Sequence, residues 1–74
     1  MAYRYYSTMR PVNPGTFPNH DVKSLHNFST RIYVESIKHE AWGYLDYNIP
    51  LTETEERNYE LTGIGYVQDE EGGI

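Results

Sequence analysis

The sequence has no cysteine, so nothing covalent braces its 74 residues beyond the backbone. That usage fits a reducing cytoplasm and argues against a secreted, disulfide-built scaffold. It has no long apolar run, and nothing in it approaches the ~20 consecutive residues that cross a bilayer. Residues 1–10 are tyrosine-rich and polar, unlike the apolar core of a signal peptide. It also lacks a basic cluster. Its six lysines and arginines are scattered, which disfavours direct nucleic-acid binding, because cationic contacts to phosphate supply most of that affinity. Tyr3-Arg4-Tyr5-Tyr6 interleaves an arginine with stacking rings, but four residues do not make a single-strand-binding groove.

Catalytic chemistry is missing in the same way. No serine stands in a Gly-x-Ser-x-Gly elbow, the arrangement that would expose it as a nucleophile. Gly63-Ile64-Gly65 has no third glycine and no helix to follow, so it is not a phosphate loop. His20, His26 and His39 match no zinc-ligand spacing. The carboxylate pairs Glu55-Glu56 and Glu70-Glu71 fall at a helix start and near the C-terminus. Neither is an apolar pocket that would shift a carboxyl into the range of acid–base catalysis. The expectation is a binding protein without a catalytic residue, metal or cofactor.

Rings are what the chain has in excess: eight tyrosines, two phenylalanines and one tryptophan. Each buries about 150–250 Å², so aromatic packing substitutes for aliphatic core in a chain too short to bury much else. A domain of this size has too little interior for all of them. The surplus is expected at the surface, where Tyr and Trp make good contact residues.

Charge is the second asymmetry. Residues 1–38 carry Arg4, Arg10, Lys23, Arg31 and Lys38 against Asp21 and Glu35, a balance of +3. Residues 39–74 carry Arg57 against nine acids, a balance of −8. An acidic face of this kind complements a basic, nucleic-acid-binding protein, although a solvated helix face and an acidic tail would give the same count.

Local patterns predict a small α+β domain over residues 1–68, an antiparallel sheet of three to four strands with one short helix, followed by a mobile acidic tail at 69–74. Residues 3–8 and 41–48 are β-prone, with Trp42, Tyr44 and Asp46 on one face and Ala41, Gly43, Leu45 and Tyr47 on the other. Gly43 invites close approach of a neighbouring chain. Residues 22–28 alternate, with Val22, Ser24, His26 and Phe28 pointing one way. Pro11, Pro14 and Pro18 make 10–20 a stiff loop, and Phe17 within it is either an exposed anchor or a lid on the core. Residues 29–38 read as a short helix or turn, with a strand as the open alternative. Thr52 and Glu55 have capping-box spacing for a helix over 52–60. Leu51 before that helix is expected to reach the Glu56 stem, and Arg57 to meet Glu60. Tyr59 and Leu61 are the expected anchors, and residues 64–67 a last edge strand.

Several segments together resemble small proteins, without an assigned activity, carried by bacteriophages and conjugative elements of Gram-positive gut bacteria. The resemblance runs through Arg4-Tyr5-Tyr6-Ser7-Thr8, Arg10-Pro11-Val12, Pro14-Gly15-Thr16-Phe17-Pro18, Asn27-Phe28, Ala41-Trp42-Gly43-Tyr44-Leu45, Pro50-Leu51 and Tyr59-Glu60-Leu61. Where those proteins commonly have a glycine after the isoleucine matching Ile37, this chain has Lys38. The resemblance implies an intracellular setting and, by analogy with small acidic phage proteins, inhibition of a host defence protein such as a CRISPR effector or restriction nuclease.

The expected contact residues are Glu53, Glu55, Glu56 and Glu60 as an acidic face, with Trp42, Tyr44 or Phe17 as ring anchors. Two alternatives stand beside this reading. One is a nucleotide-binding module using tyrosine stacking with Arg4, Arg10 or Arg31 on phosphate. The other is a homodimer that buries surplus rings against itself.

Overall fold

A computed structural model describes residues 2–67. Four strands and a helix follow in the order β1 (Ala2–Ser7), β2 (Val22–Val34), β3 (His39–Tyr47), α1 (Glu53–Tyr59) and β4 (Leu61–Val67). They form one antiparallel sheet, ordered β2-β3-β1-β4. This is the α+β class expected from the patterns. The expected tail at 69–74 lies outside the described residues.

Strand β1 sits between β3 and β4, and its alternation assigns the two faces. Tyr3, Tyr5 and Ser7 oppose Tyr47, Leu45 and Gly43, while Arg4 and Tyr6 oppose Asp46 and Tyr44. The first set faces the core. Tyr5, Leu45 and Tyr47 are joined there by Val12 and Phe17 from the proline loop and by Leu51 and Leu61, which flank α1. Leu45 and Tyr47 are wholly buried, a gain of about 2–3 kcal/mol each. Their neighbours' polar atoms are satisfied: the Tyr47 hydroxyl donates to the Pro18 carbonyl at 2.8 Å, and the Leu51 amide donates to the Tyr5 hydroxyl at 2.8 Å. Desolvation pushes the ionisation of both phenols upward, so they remain neutral donors and acceptors.

The helix starts where its cap predicts. Thr52 accepts from the Glu55 amide at 3.1 Å, and Glu55 accepts from the Thr52 amide at 3.0 Å. Leu51 is drawn into the core. Tyr59 packs against the same cluster.

Two local expectations are corrected. Residues 29–34 continue β2, and only 35–38 turn, closed by the Ile37 amide on the Val34 carbonyl at 3.3 Å and the Lys38 amide on the Glu35 carbonyl at 3.2 Å. Ile32, Tyr33 and Val34 pair with Ala41, Glu40 and His39. Gaining a neighbouring strand outweighs a weak cap signal at Ser29 or Thr30. Lys38 takes φ 52, the left-handed conformation that a glycine adopts without strain. The second correction concerns Val22. The register shifts between Val22 and Ser24, and that bulge turns Val22 onto the core face, where it packs against the cluster. Ser24 and His26 stay on the opposite face, across from Asp46 and Tyr44.

At Gly43 the β2 backbone lies close against β3. A Cβ there would collide with the His26 carbonyl oxygen and stand 3.1 Å from the Asn27 Cα. Both obstacles are backbone, so the strands would have to separate. Gly43→Ala should therefore cost about 3 kcal/mol, most of what a core this small provides. A urea denaturation midpoint unchanged from the parent would contradict the β2–β3 pairing described.

Candidate partner-binding surfaces

The sheet divides the expected contact residues between two surfaces. On the outer face, away from the core, Tyr44 is the centre of a ring cluster. Its ring lies 5.9 Å from Tyr6, 6.0 Å from Phe28 and 5.3 Å from His26, the last stacked. The Arg4 guanidinium sits 4.1 Å over the same ring, in cation–π range. Arg4 also grips Asp46, its Nε donating to Oδ1 at 2.8 Å and its Nη2 to Oδ2 at 3.0 Å. Asp46 is 5 % exposed. The bidentate hydrogen bond raises the Arg4 pKa above its already high value, so the guanidinium stays charged. Further along, Arg31 covers the Trp42 ring at 5.7 Å and pairs with Glu40 at 2.8 Å. Tyr33, opposite Glu40, is 56 % exposed.

On the other side lies α1. Glu53, Glu56, Arg57 and Leu61 line a shallow, open groove. Glu53 is exposed and Glu56 half-buried, and neither forms an ion pair with any described residue. The other two expected acids are held within the chain. Glu60 pairs with Arg10, not with Arg57, because Arg10 reaches from the proline loop to the end of the helix. Glu55 Oε2 meets His20 Nε2 at 2.6 Å, and His20 Nδ1 meets Asp21 at 3.0 Å. With a carboxylate on each ring nitrogen, His20 is best served as imidazolium, and its pKa rises, chiefly through Glu55. The Glu55 pKa falls for the same reason.

Of the expected ring anchors, Trp42 and Tyr44 share the outer face, while Phe17 is buried at 7 % exposure. Its flanking prolines fold it inward as a lid, and it offers no free ring. The acids and the two remaining rings therefore belong to opposite sides of the sheet. Tyr6, His26, Phe28, the Arg4–Asp46 pair and the His20 clasp were missed by sequence reasoning. The i, i+2 spacing of Arg4 with Tyr6 and of Tyr44 with Asp46 was a usable signal, but only once the β1–β3 register is known. Among the described residues no cluster of three or more His, Asp or Glu is placed to hold a metal, and no helix is long and apolar enough to cross a membrane.

The family model described as defence against restriction A C-terminal matches residues 1–65. No curated protein and no solved structure is similar enough to match.

Two measurements check the site geometry. Arg4→Met leaves Asp46 buried without its cation and should destabilise the chain by about 3 kcal/mol, read as a lowered denaturation midpoint. An unchanged midpoint would show that Asp46 does not depend on Arg4. The His20 clasp makes a pH-dependent contribution whose sign follows from the shifts. The raised His20 pKa gives stability that is complete below its ordinary 6.5 and is lost as pH rises through the higher folded value. The lowered Glu55 pKa gives stability present above its ordinary 4.5 and lost as pH falls through the folded value. The difference in denaturation midpoint between the parent and His20→Asn should accordingly be larger at pH 5.5 than at pH 8.5. An equal difference at both would mean that the clasp does not form.

Proposed function

The chain belongs to the defence against restriction A C-terminal family, and from that membership we propose that it counters host restriction by binding a restriction protein, without catalysing a reaction. The reading describes a phage- or mobile-element-encoded inhibitor acting in the cytoplasm of the bacterial host. A restriction enzyme must hold DNA with cationic side chains, and the α1 side presents carboxylates to such a surface. The observation that carries this is the pair Glu53 and Glu56, which line the open groove beside Arg57 and form no ion pair with any described residue. Glu55 and Glu60 add negative potential from positions fixed by His20 and Arg10. Charge of this kind speeds encounter and selects the partner, and Leu61 at the groove floor supplies apolar contact. The nucleotide-binding alternative draws less support. Arg4, Arg10 and Arg31 are each paired with a carboxylate, so none presents a free guanidinium to phosphate.

Supplying the chain in a restricting bacterium should raise the plating of unmodified phage, and the double variant Glu53→Lys, Glu56→Lys should lose about tenfold or more of that protection. Plating equal to that of cells lacking the chain would overturn the proposal. Full protection by the double variant would remove the acidic groove from it.

A further inference from the structure

We infer that the open edge of β4 takes an extended, lysine- or arginine-bearing segment of the partner as a fifth strand beside α1. For the identity of that partner this rests on the restriction-protein reading; what it adds is how the contact is made.

The sheet has two edges, β2 and β4, since β1 and β3 are paired on both sides. An edge strand presents unpaired amides and carbonyls to any strand that meets it, and proteins guard such edges with charge, proline or irregular register. The β2 edge is guarded. It carries Lys23 and Arg31, and its register breaks between Asn27 and Ile32. Strand β4, Leu-Thr-Gly-Ile-Gly-Tyr-Val, has neither a charged residue nor a proline. Past Leu61 its residues are all exposed or half-buried, and no described residue pairs with its outer edge. Its own register shift falls at Ile64, so Leu61, Thr62 and Gly63 stay aligned with Ser7, Tyr6 and Tyr5 in the half that borders α1.

Charge selects the occupant. Alternate residues of an added strand share the face of Leu61 and Gly63, and that is the face α1 borders. There Glu56 Oε2 lies 3.6 Å from the position that a Cβ on Gly63 would take, and Glu53 lines the same groove. Gly63 has no side chain to stand between Glu56 and the edge, and the Tyr5 ring, 2.7 Å from that Cβ position, leaves no room for one. A strand with Lys or Arg at alternate positions meets Glu53 and Glu56 directly, whereas an acidic strand is met only by Arg57. Tyr66, opposite Tyr3 and 53 % exposed, packs the aliphatic stem of a further cation. A second copy of this chain would offer β4 itself as the incoming strand, and β4 has no cation to place against these acids. In strand addition main-chain bonds supply affinity and alternate side chains supply selection.

Amide NMR on the full chain tests this with a capped peptide of alternating Lys and Val, as long as the seven residues of β4. The peptide should shift the β4 amide signals and slow their hydrogen exchange. Methylating every peptide nitrogen should weaken binding about tenfold or more, because the main-chain donors are lost. Glu in place of Lys in the peptide should do the same, as should Glu53→Gln with Glu56→Gln in the chain. No change at β4 up to about 1 mM peptide overturns the inference, and so does an N-methylated peptide that binds as tightly. Pairing at β2 overturns it as well. Concentration-dependent changes at β4 without peptide would give the edge to a second copy and overturn it too. Phage plating is read separately: protection without peptide pairing removes strand addition alone, and pairing without protection removes the restriction reading alone.

Discussion

Everything in this fold depends on the register between β1 and β3. Tyr5 opposite Leu45 and Tyr3 opposite Tyr47 put the core on one face, and the same alignment puts Arg4 opposite Asp46 and Tyr6 opposite Tyr44 on the other. A slip of one residue would exchange the faces. It would expose the residues that hold the loop and helix, and bury Asp46 away from its guanidinium. A misaligned ion pair in the sheet is costly, because a carboxylate shielded from water needs its counter-ion. The Arg4–Asp46 pair thus specifies alignment as well as contributing energy, and the glycines support it. Gly43 admits the β2 backbone, while Gly63 lies under the Tyr5 ring.

The second layer is thin, and it is tied down by side-chain bonds where it lacks regular structure. The loop at 8–21 contributes Val12 and Phe17 to the core. Asn27 holds it by accepting from the Val12 amide at 2.8 Å and donating to the Val12 carbonyl at 2.6 Å. Tyr47 holds it again at Pro18. His20 and Arg10 join it to the two ends of α1 through Glu55 and Glu60. Prolines lower the entropy that the loop loses on folding, so a few bonds suffice. Two of the helix's acids are consequently engaged in the fold, which leaves Glu53 and Glu56, beside Arg57, as the helix's acids open to a partner.

This arrangement separates two kinds of surface on one small body. The helix side carries Glu53 and Glu56 beside Arg57 around an open groove. The outer sheet face carries buried and half-buried rings with paired ions.

Local physics in the sequence was enough for the sheet class, the capping box at Thr52 and Glu55, the stiffness of the proline loop, the close approach at Gly43 and the anchoring by Tyr59 and Leu61. Each rests on a residue and its near neighbours. The charge split was legible too, because net charge does not depend on fold. Tertiary structure alone decided the rest. Residues 29–34 became strand because β3 was there to pair with them. Val22 turned inward because a bulge changed its parity, and Phe17 became core because the loop folded over Leu45 and Tyr47. Arg10 and His20 took Glu60 and Glu55 out of the expected acidic face, through contacts between residues 50 and 35 positions apart. Sequence patterns report what the backbone prefers over a few residues. Which surfaces remain free is set by which distant side chains meet, and only the folded chain determines that.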